Sequence, residues 1–337
     1  MIARRPSWHR AIRSVIDEIV GGLAPDEVVV DVRYDASVFA TSARVSEFDV
    51  RLSGGSTLEL VLKEGGRAGR MPDAPRATPR FLRDPLREIR VYERLLAGPQ
   101  LGTPRLYGSL VDRGRGRYAM FLERAPGMQL RWTVQPRAWH CTAAWLAHAH
   151  ATLAEQGEEN ASWLLIHDAP YYRRWLRRAR LLAPRSDRAT RVRLAWLARH
   201  YDEVVERLAS LPRTVIHGEF YPSNVLVDES TDRGRICVLD WEMAAVGPAV
   251  IDLAALTGGW LSASKREGIL GSYRAALPGT ASGLRGSTGA EELACARLHF
   301  AMQWLGWARD WVPPAEQRHD WLTEAVEIGE SMGWGAA

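Results

Sequence analysis

Between residues 215 and 242 the chain reads VIHGEFYPSNVLVDESTDRGRICVLDWE, two short apolar, β-branched runs around a polar segment. Residues 225–227 and 236–239 are too short for helices, and Asp, Glu, Ser, Thr and Gly fill the space between them, so the stretch predicts a β-hairpin. A hairpin has one open end. Here Asn224 enters the first strand and Asp240 leaves the second, which places a carboxamide beside a carboxylate. Such a pair suits Mg²⁺, a hard cation that takes few oxygens from protein and fills its octahedron with water and phosphate. Asn224 and Asp240 are therefore the candidate metal ligands; the alternative is a turn followed by an ordinary solvated Asp.

His217, Glu219 and Asn224 stand at relative positions 0, 2 and 7, with Asp240 on the next strand. That is the spacing of the protein-kinase catalytic loop and its metal-binding Asp. The wording HGEFYPSN and LDWE resembles the aminoglycoside phosphotransferase and choline kinase family, small-molecule relatives of protein kinases, whose usual wording is HGDxxxxN followed by D-W or D-F. The resemblance covers roughly residues 28–260 and is specific at the hairpin. It implies an α+β, bilobal protein-kinase-like fold with a small β-rich N-terminal lobe, 1–124, and a larger, mostly helical C-terminal lobe, 125–337. It also implies ATP and Mg²⁺ as cofactors and transfer of the γ-phosphoryl group to a hydroxyl of a small molecule, an amino sugar, amino alcohol or natural-product glycoside. Glu219, Asn224 and Asp240 are then the catalytic residues.

The N-terminal part supplies matching pieces. Residues 57–63, TLELVLK, alternate with Leu58, Leu60 and Leu62 on one face and Lys63 on the other, after a Ser-Gly-Gly-Ser turn. Lys63 and Lys265 are the only lysines in an arginine-rich chain. An ammonium kept inside a strand points to the nucleotide phosphates; the alternative is a solvated strand lysine. By resemblance, the apolar-striped helix expected at 86–96 carries the glutamate that holds Lys63, with Glu88 chosen and Glu93 in reserve. The strand and turn at 118–127 resemble the family's hinge, so the backbone at Glu123, Arg124 and Ala125 is expected at the adenine. Residues 65–83, rich in Gly, Pro and Arg, read as a mobile insertion.

Two departures from the family pattern stand out. Residues 35–45 contain no glycine, although a phosphate-covering loop generally uses it to bring N–H groups close to the anion; Ser37, Thr41 and Ser42 are expected to supply hydroxyls instead. The second is Glu219, standing where the family usually has the aspartate that orients the acceptor hydroxyl and takes its proton. These departures motivate a rival reading, a catalytically silent kinase-like binding protein.

Only eleven residues lie between Asp240 and Asp252, too few for an activation loop. Asp252 resembles the family's brace of the catalytic loop, and Glu242 is a candidate for a second metal. His148 and His150 resemble a structural helix of the family. A zinc deaminase is excluded because Cys141, Cys237 and Cys295 are isolated; the same scatter fits a reducing compartment. A Walker A motif, a nucleophile elbow and a dinucleotide fingerprint are all absent from the sequence. Net charge is +4 with arginines spread over many segments, so nucleic acid is a weak third reading. The first twenty residues read as an amphipathic helix, no membrane span is expected, and the expected compartment is the cytoplasm. Leu293, Phe300, Trp304, Trp307 and Trp311 fall near one helical face, either core or an aromatic acceptor wall. Glu291, Glu292 and Asp310 are candidate partners for an amine.

Overall fold

The computed structural model describes residues 7–37, 43–66, 78–98, 101–230, 234–259, 261–308 and 318–337. They form two compact units, one within Met1–Pro75 and Asp84–Pro126, the other within Arg76–Arg83 and Gly127–Ala337.

The first unit opens with helix α1, Trp8–Leu23, started by Ser7, whose hydroxyl accepts the Arg10 N–H. Strands β1 (Val29–Ala36), β2 (Arg44–Leu52) and β3 (Thr57–Gly66) run antiparallel. The short helix α2, Arg87–Arg90, precedes strands β4 (Leu106–Asp112) and β5 (Arg117–Glu123). The sheet order is β1-β2-β3-β5-β4. Ile16, Ile19 and Val20 of α1 pack on Phe48, Val50, Leu60, Leu62 and Phe121. Each fully buried aliphatic or aromatic side chain there contributes roughly 1.5–3 kcal/mol. The strict alternation of β3 puts Leu60 and Leu62 into this core and Lys63 on the opposite face. Gly65 and Gly66, read from sequence as the start of an insertion, instead continue β3; residues 67–77 lie outside the described residues.

The expected helix at 86–96 changes character. After α2, Val91–Leu95 widens into a π-turn, in which the Leu96 N–H reaches the Val91 carbonyl at 3.0 Å. The extra residue per turn lets the consecutive Leu95 and Leu96 both be buried, at 7% and 6% exposure, which a regular α-turn would spread apart.

The second unit begins with strand β6 (Met128–Gln129), helices α3 (Pro136–Thr152) and α4 (Gln156–Asn160), and strand β7 (Leu165–Ile166). Helices α5 (Ala169–Arg180) and α6 (Arg188–Ser210) lead to strand β8 (Arg213–Ile216). Strands β9 (Val225–Asp228) and β10 (Arg235–Val238) form the expected hairpin, with Val225 opposite Val238. Strand β11 (Ala245–Pro248) is followed by helices α7 (Val250–Thr257), α8 (Ala263–Ala276), α9 (Ser282–Gly286), α10 (Ala290–Trp307) and α11 (Trp321–Ser331). Two small sheets, β10-β9-β6 and β7-β11-β8, sit among these helices. On α5, Tyr171, Tyr172, Trp175 and Ala179 face inward, while Arg174, Arg177 and Arg180 form its wet face. Phe81, also read as part of the insertion, packs edge-on against Tyr171 and Trp175. Among the described residues no helix is long and apolar enough to cross a membrane.

Candidate active site

In the second unit the loop from His217 to Asn224 is built by its own backbone. The Asn224 carbonyl accepts the Leu239 N–H at 2.9 Å, extending the β9–β10 ladder by one step and leaving Asn224 and Asp240 at the same end of the hairpin. The Asn224 amide donates to the Glu219 carbonyl at 3.0 Å, which fixes the carboxamide and turns its oxygen the other way. His217 ties the two segments together: its Nδ1 accepts the Glu219 N–H at 3.2 Å, and its Nε2–H donates to the Leu239 carbonyl at 2.8 Å. Only a neutral imidazole protonated at Nε2 satisfies both bonds. His217 is thus a spacer between the residue before Asp240 and the backbone of Glu219.

Asp252 of α7 holds the start of this loop. Its carboxylate accepts the His217 N–H at 2.7 Å and the Gly218 N–H at 2.9 Å, and also meets His150 Nε2 of α3 at 3.1 Å. Tyr273 of α8 closes the chain, its hydroxyl 2.9 Å from His150 Nδ1. Burial, reinforced by Asp252, raises the Tyr273 phenol far above its ordinary range, so it stays protonated and donates to His150. Asp252 is fully buried and His150 nearly so, and the buried charge is met by three N–H donors, as such a charge requires. His148, by contrast, is exposed. Gly218 has φ +82°, and a Cβ there would lie 2.4 Å from the Met243 carbonyl oxygen. No other residue type fits this turn without moving it.

Asp240 is the only non-glycine residue at positive φ among the described residues (φ 63°, ψ 62°). Such strain in a non-glycine residue concentrates at functional positions. Asp240 and Glu242 offer carboxylate oxygens within 4.8 Å of one another, a donor set whose hardness suits a divalent cation. Trp241 between them is buried, packed on the His217 ring at 4.7 Å.

In the first unit, Lys63 Nζ lies 2.8 Å from Glu88 Oε1 and 2.7 Å from Oε2. Glu93, the reserve, instead accepts the Ser109 hydroxyl at 2.9 Å. Ser37 is half-buried just beyond β1, its N–H bonded to the Val45 carbonyl at 2.9 Å. Thr41 and Ser42 lie outside the described residues. Glu123 ends β5, its N–H on the Arg105 carbonyl and its carboxylate on the Arg105 N–H. Arg124 is held by Asp49 and Glu59, and Ala125 is half-buried beside it.

The aromatic face read from sequence divides in two. Trp307 packs against Trp175 at 5.5 Å, part of the α5–α10 core, and Leu293 is buried. Phe300 and Trp304 instead meet Tyr221, at 5.7 and 6.1 Å between ring centroids, and Trp321 of α11, which stacks on Trp304 at 5.4 Å and 6°. Tyr221 and Trp321 were not singled out from sequence. Tyr221 sits inside the HGEFYPSN motif, so its place two residues after Glu219 was the available signal. Glu291 and Glu292 are both engaged by Arg207; Asp310 and Trp311 lie outside the described residues.

Residues 41–285 match the model of the phosphotransferase enzyme family. No curated protein matches the chain. Solved structures share its fold. A microcompartment-associated aminopropanol kinase aligns at TM-score 0.59 and 15% identity, covering 91% of this chain and 94% of that one. The GDP complex of aminoglycoside 2'-phosphotransferase-IIIa aligns at 0.55 and 13%, covering 97% and 98%. An ethanolamine kinase of Plasmodium vivax aligns at 0.56 and 11%, covering 98% and 90%. The fold is the α+β, bilobal, protein-kinase-like one. With its family model spanning well over half of the sequence, the chain belongs to the phosphotransferase enzyme family.

Proposed function

We propose that the protein transfers the γ-phosphoryl group of ATP to a hydroxyl of a small molecule. The observation that carries this reading is the loop geometry: Asp252 and His217 hold Glu219, Asn224 and the strained Asp240 in one local frame. In the reaction the bond from the γ-phosphorus to the β-phosphate oxygen breaks, a bond to the acceptor oxygen forms, and the acceptor proton passes to Glu219. Asn224 and Asp240 would hold Mg²⁺, with Glu242 as a further donor; when bound, the ion neutralises charge on the phosphates. Lys63, kept in place by Glu88, serves the nucleotide phosphates, while the backbone at Glu123 and Ala125 serves the base and Ser37 and Ser42 the phosphate loop. Phosphoryl transfer is loose and relies mainly on positioning, so the longer Glu219 is compatible with activity.

The test is Glu219→Gln assayed by ADP release with acceptor. Turnover should fall about a hundredfold or more, with Mg-ATP binding retained. Unchanged turnover removes Glu219 from its role. A silent binding protein would instead bind nucleotide and release no ADP with any acceptor.

A further inference from the structure

Strand β1 is an outer strand of the five-stranded sheet, paired with β2 on one side. Just beyond it the Ser37 N–H bonds to the Val45 carbonyl of β2, and residues two apart turn their backbone groups the same way in an antiparallel ladder. Asp31, Arg33 and Asp35 therefore point theirs at β2, and Val32, Tyr34 and Ala36 point theirs at the open edge. Side chains alternate as well. Asp31, Arg33 and Asp35 share one face of the strand, while Tyr34 lies on the other, stacked on Phe48 at 5.2 Å. A bulge at Val30 bounds the regular stretch, which runs from Asp31 to Ser37. Val28, Val30 and Tyr34 are 66%, 57% and 62% exposed, although edge strands are ordinarily kept polar so that they do not pair with another chain.

Such an edge accepts a further strand, and a second copy of β1 laid against it antiparallel obeys a two-fold axis. Charge selects the register. An axis at Arg33 sets that guanidinium against its own copy and Asp31 against the partner's Asp35, and an axis at Asp35 sets two carboxylates together; like charges directly opposite are destabilising. An axis at Val32 draws the bulged Val30 into the ladder. With the axis at Tyr34 only the regular stretch is used. Arg33 then faces the partner's Asp35, Val32 faces the partner's Ala36, and the two exposed Tyr34 rings lie beside each other. The side chain of Arg33 is 77% exposed, and its Nε is 3.3 Å from Asp31 on the same strand, so further N–H groups of its guanidinium remain to cross to the partner.

We infer that the protein binds a second copy of itself through β1, antiparallel about a two-fold axis at Tyr34, so that two five-stranded sheets join edge to edge. Each N–H of Val32, Tyr34 and Ala36 then donates to a carbonyl of the partner strand, and an Arg33–Asp35 ion pair stands on either side of the axis. The contact belongs to the first unit alone and does not depend on the reaction.

The experiment uses the full chain, with light scattering for mass and hydrogen exchange of residues 31–37 followed over a range of protein concentrations. The wild type should reach the mass of two chains, and exchange at 31–37 should slow about tenfold or more as concentration rises through Kd. Arg33→Asp sets carboxylate against carboxylate and Asp35→Arg sets guanidinium against guanidinium, so each variant alone should associate about tenfold more weakly or worse. Mixed in equal amounts, the two are complementary at both ion pairs, and the mixture should regain the mass of two chains. Circular dichroism and melting temperature check the fold of each variant; should one fail to fold, the exchange of the wild type decides alone. A wild type that stays one chain at ~0.1 mM, protection that rises outside 31–37 instead, Asp35→Arg associating as tightly as the wild type, or a mixture of folded variants that stays monomeric overturns the inference.

Discussion

Two backbone N–H groups and one histidine N–H end on the carboxylate of Asp252, and each would be left buried without an acceptor if that carboxylate were removed. Asp252→Ala should therefore cost about 3–5 kcal/mol, read from urea unfolding midpoints, and should lower turnover more than nucleotide affinity. Little of this was legible beforehand. The spacing of His217, Glu219, Asn224 and Asp240 announces a hairpin site, and family resemblance points to Asp252. His150 joins it across 102 residues of sequence and is itself met by Tyr273 across 123, and no local pattern encodes a buried hydrogen bond of that span. Nor does the sequence state that His217 is a neutral spacer: the motif shows a histidine, and only its two bonded atoms fix the tautomer.

Helix α10 illustrates the same limit one level up. Its apolar periodicity predicts a buried face, and that face exists, yet one stretch packs on α5 while another lines the wall beside Tyr221. Which of the two a tryptophan joins depends on neighbours that lie far away in sequence. The helix also buries His299, whose Nδ1 accepts the Tyr201 hydroxyl at 2.6 Å. Burial lowers its pKa to about 3 from an ordinary 6.5. Above pH about 6.5 both folded and unfolded chains carry it neutral, so its contribution is constant there. Below that value the unfolded chain takes up a proton that the folded chain refuses, and stability falls by about 1.4 kcal/mol per pH unit until the folded group titrates. Between pH 7 and 5 this one group should cost the wild type about 2 kcal/mol. Urea midpoints for His299→Gln should show that much less dependence on pH over the same range.

Across the molecule, the alternation of β3, the hairpin at 225–238 and the amphipathic first helix were readable because each is set by short-range periodicity. The π-turn after α2 was not, because it answers to the space available for Leu95 and Leu96. A ligand that binds only the folded chain stabilises it by about 2.7 kcal/mol at a hundredfold excess over Kd. Mg-ATP should accordingly raise the melting temperature of the wild type, and Asp240→Asn should abolish the Mg-dependent part of that rise. Lys63→Ala should reduce the rise with or without the metal. The left-handed torsion at Asp240 has one more consequence. Glycine adopts it at no steric cost, where an L-residue forgoes roughly 1–2 kcal/mol. Heat-resistance selection blind to turnover would thus favour Asp240→Gly, a sturdier chain without the carboxylate that we propose binds Mg²⁺.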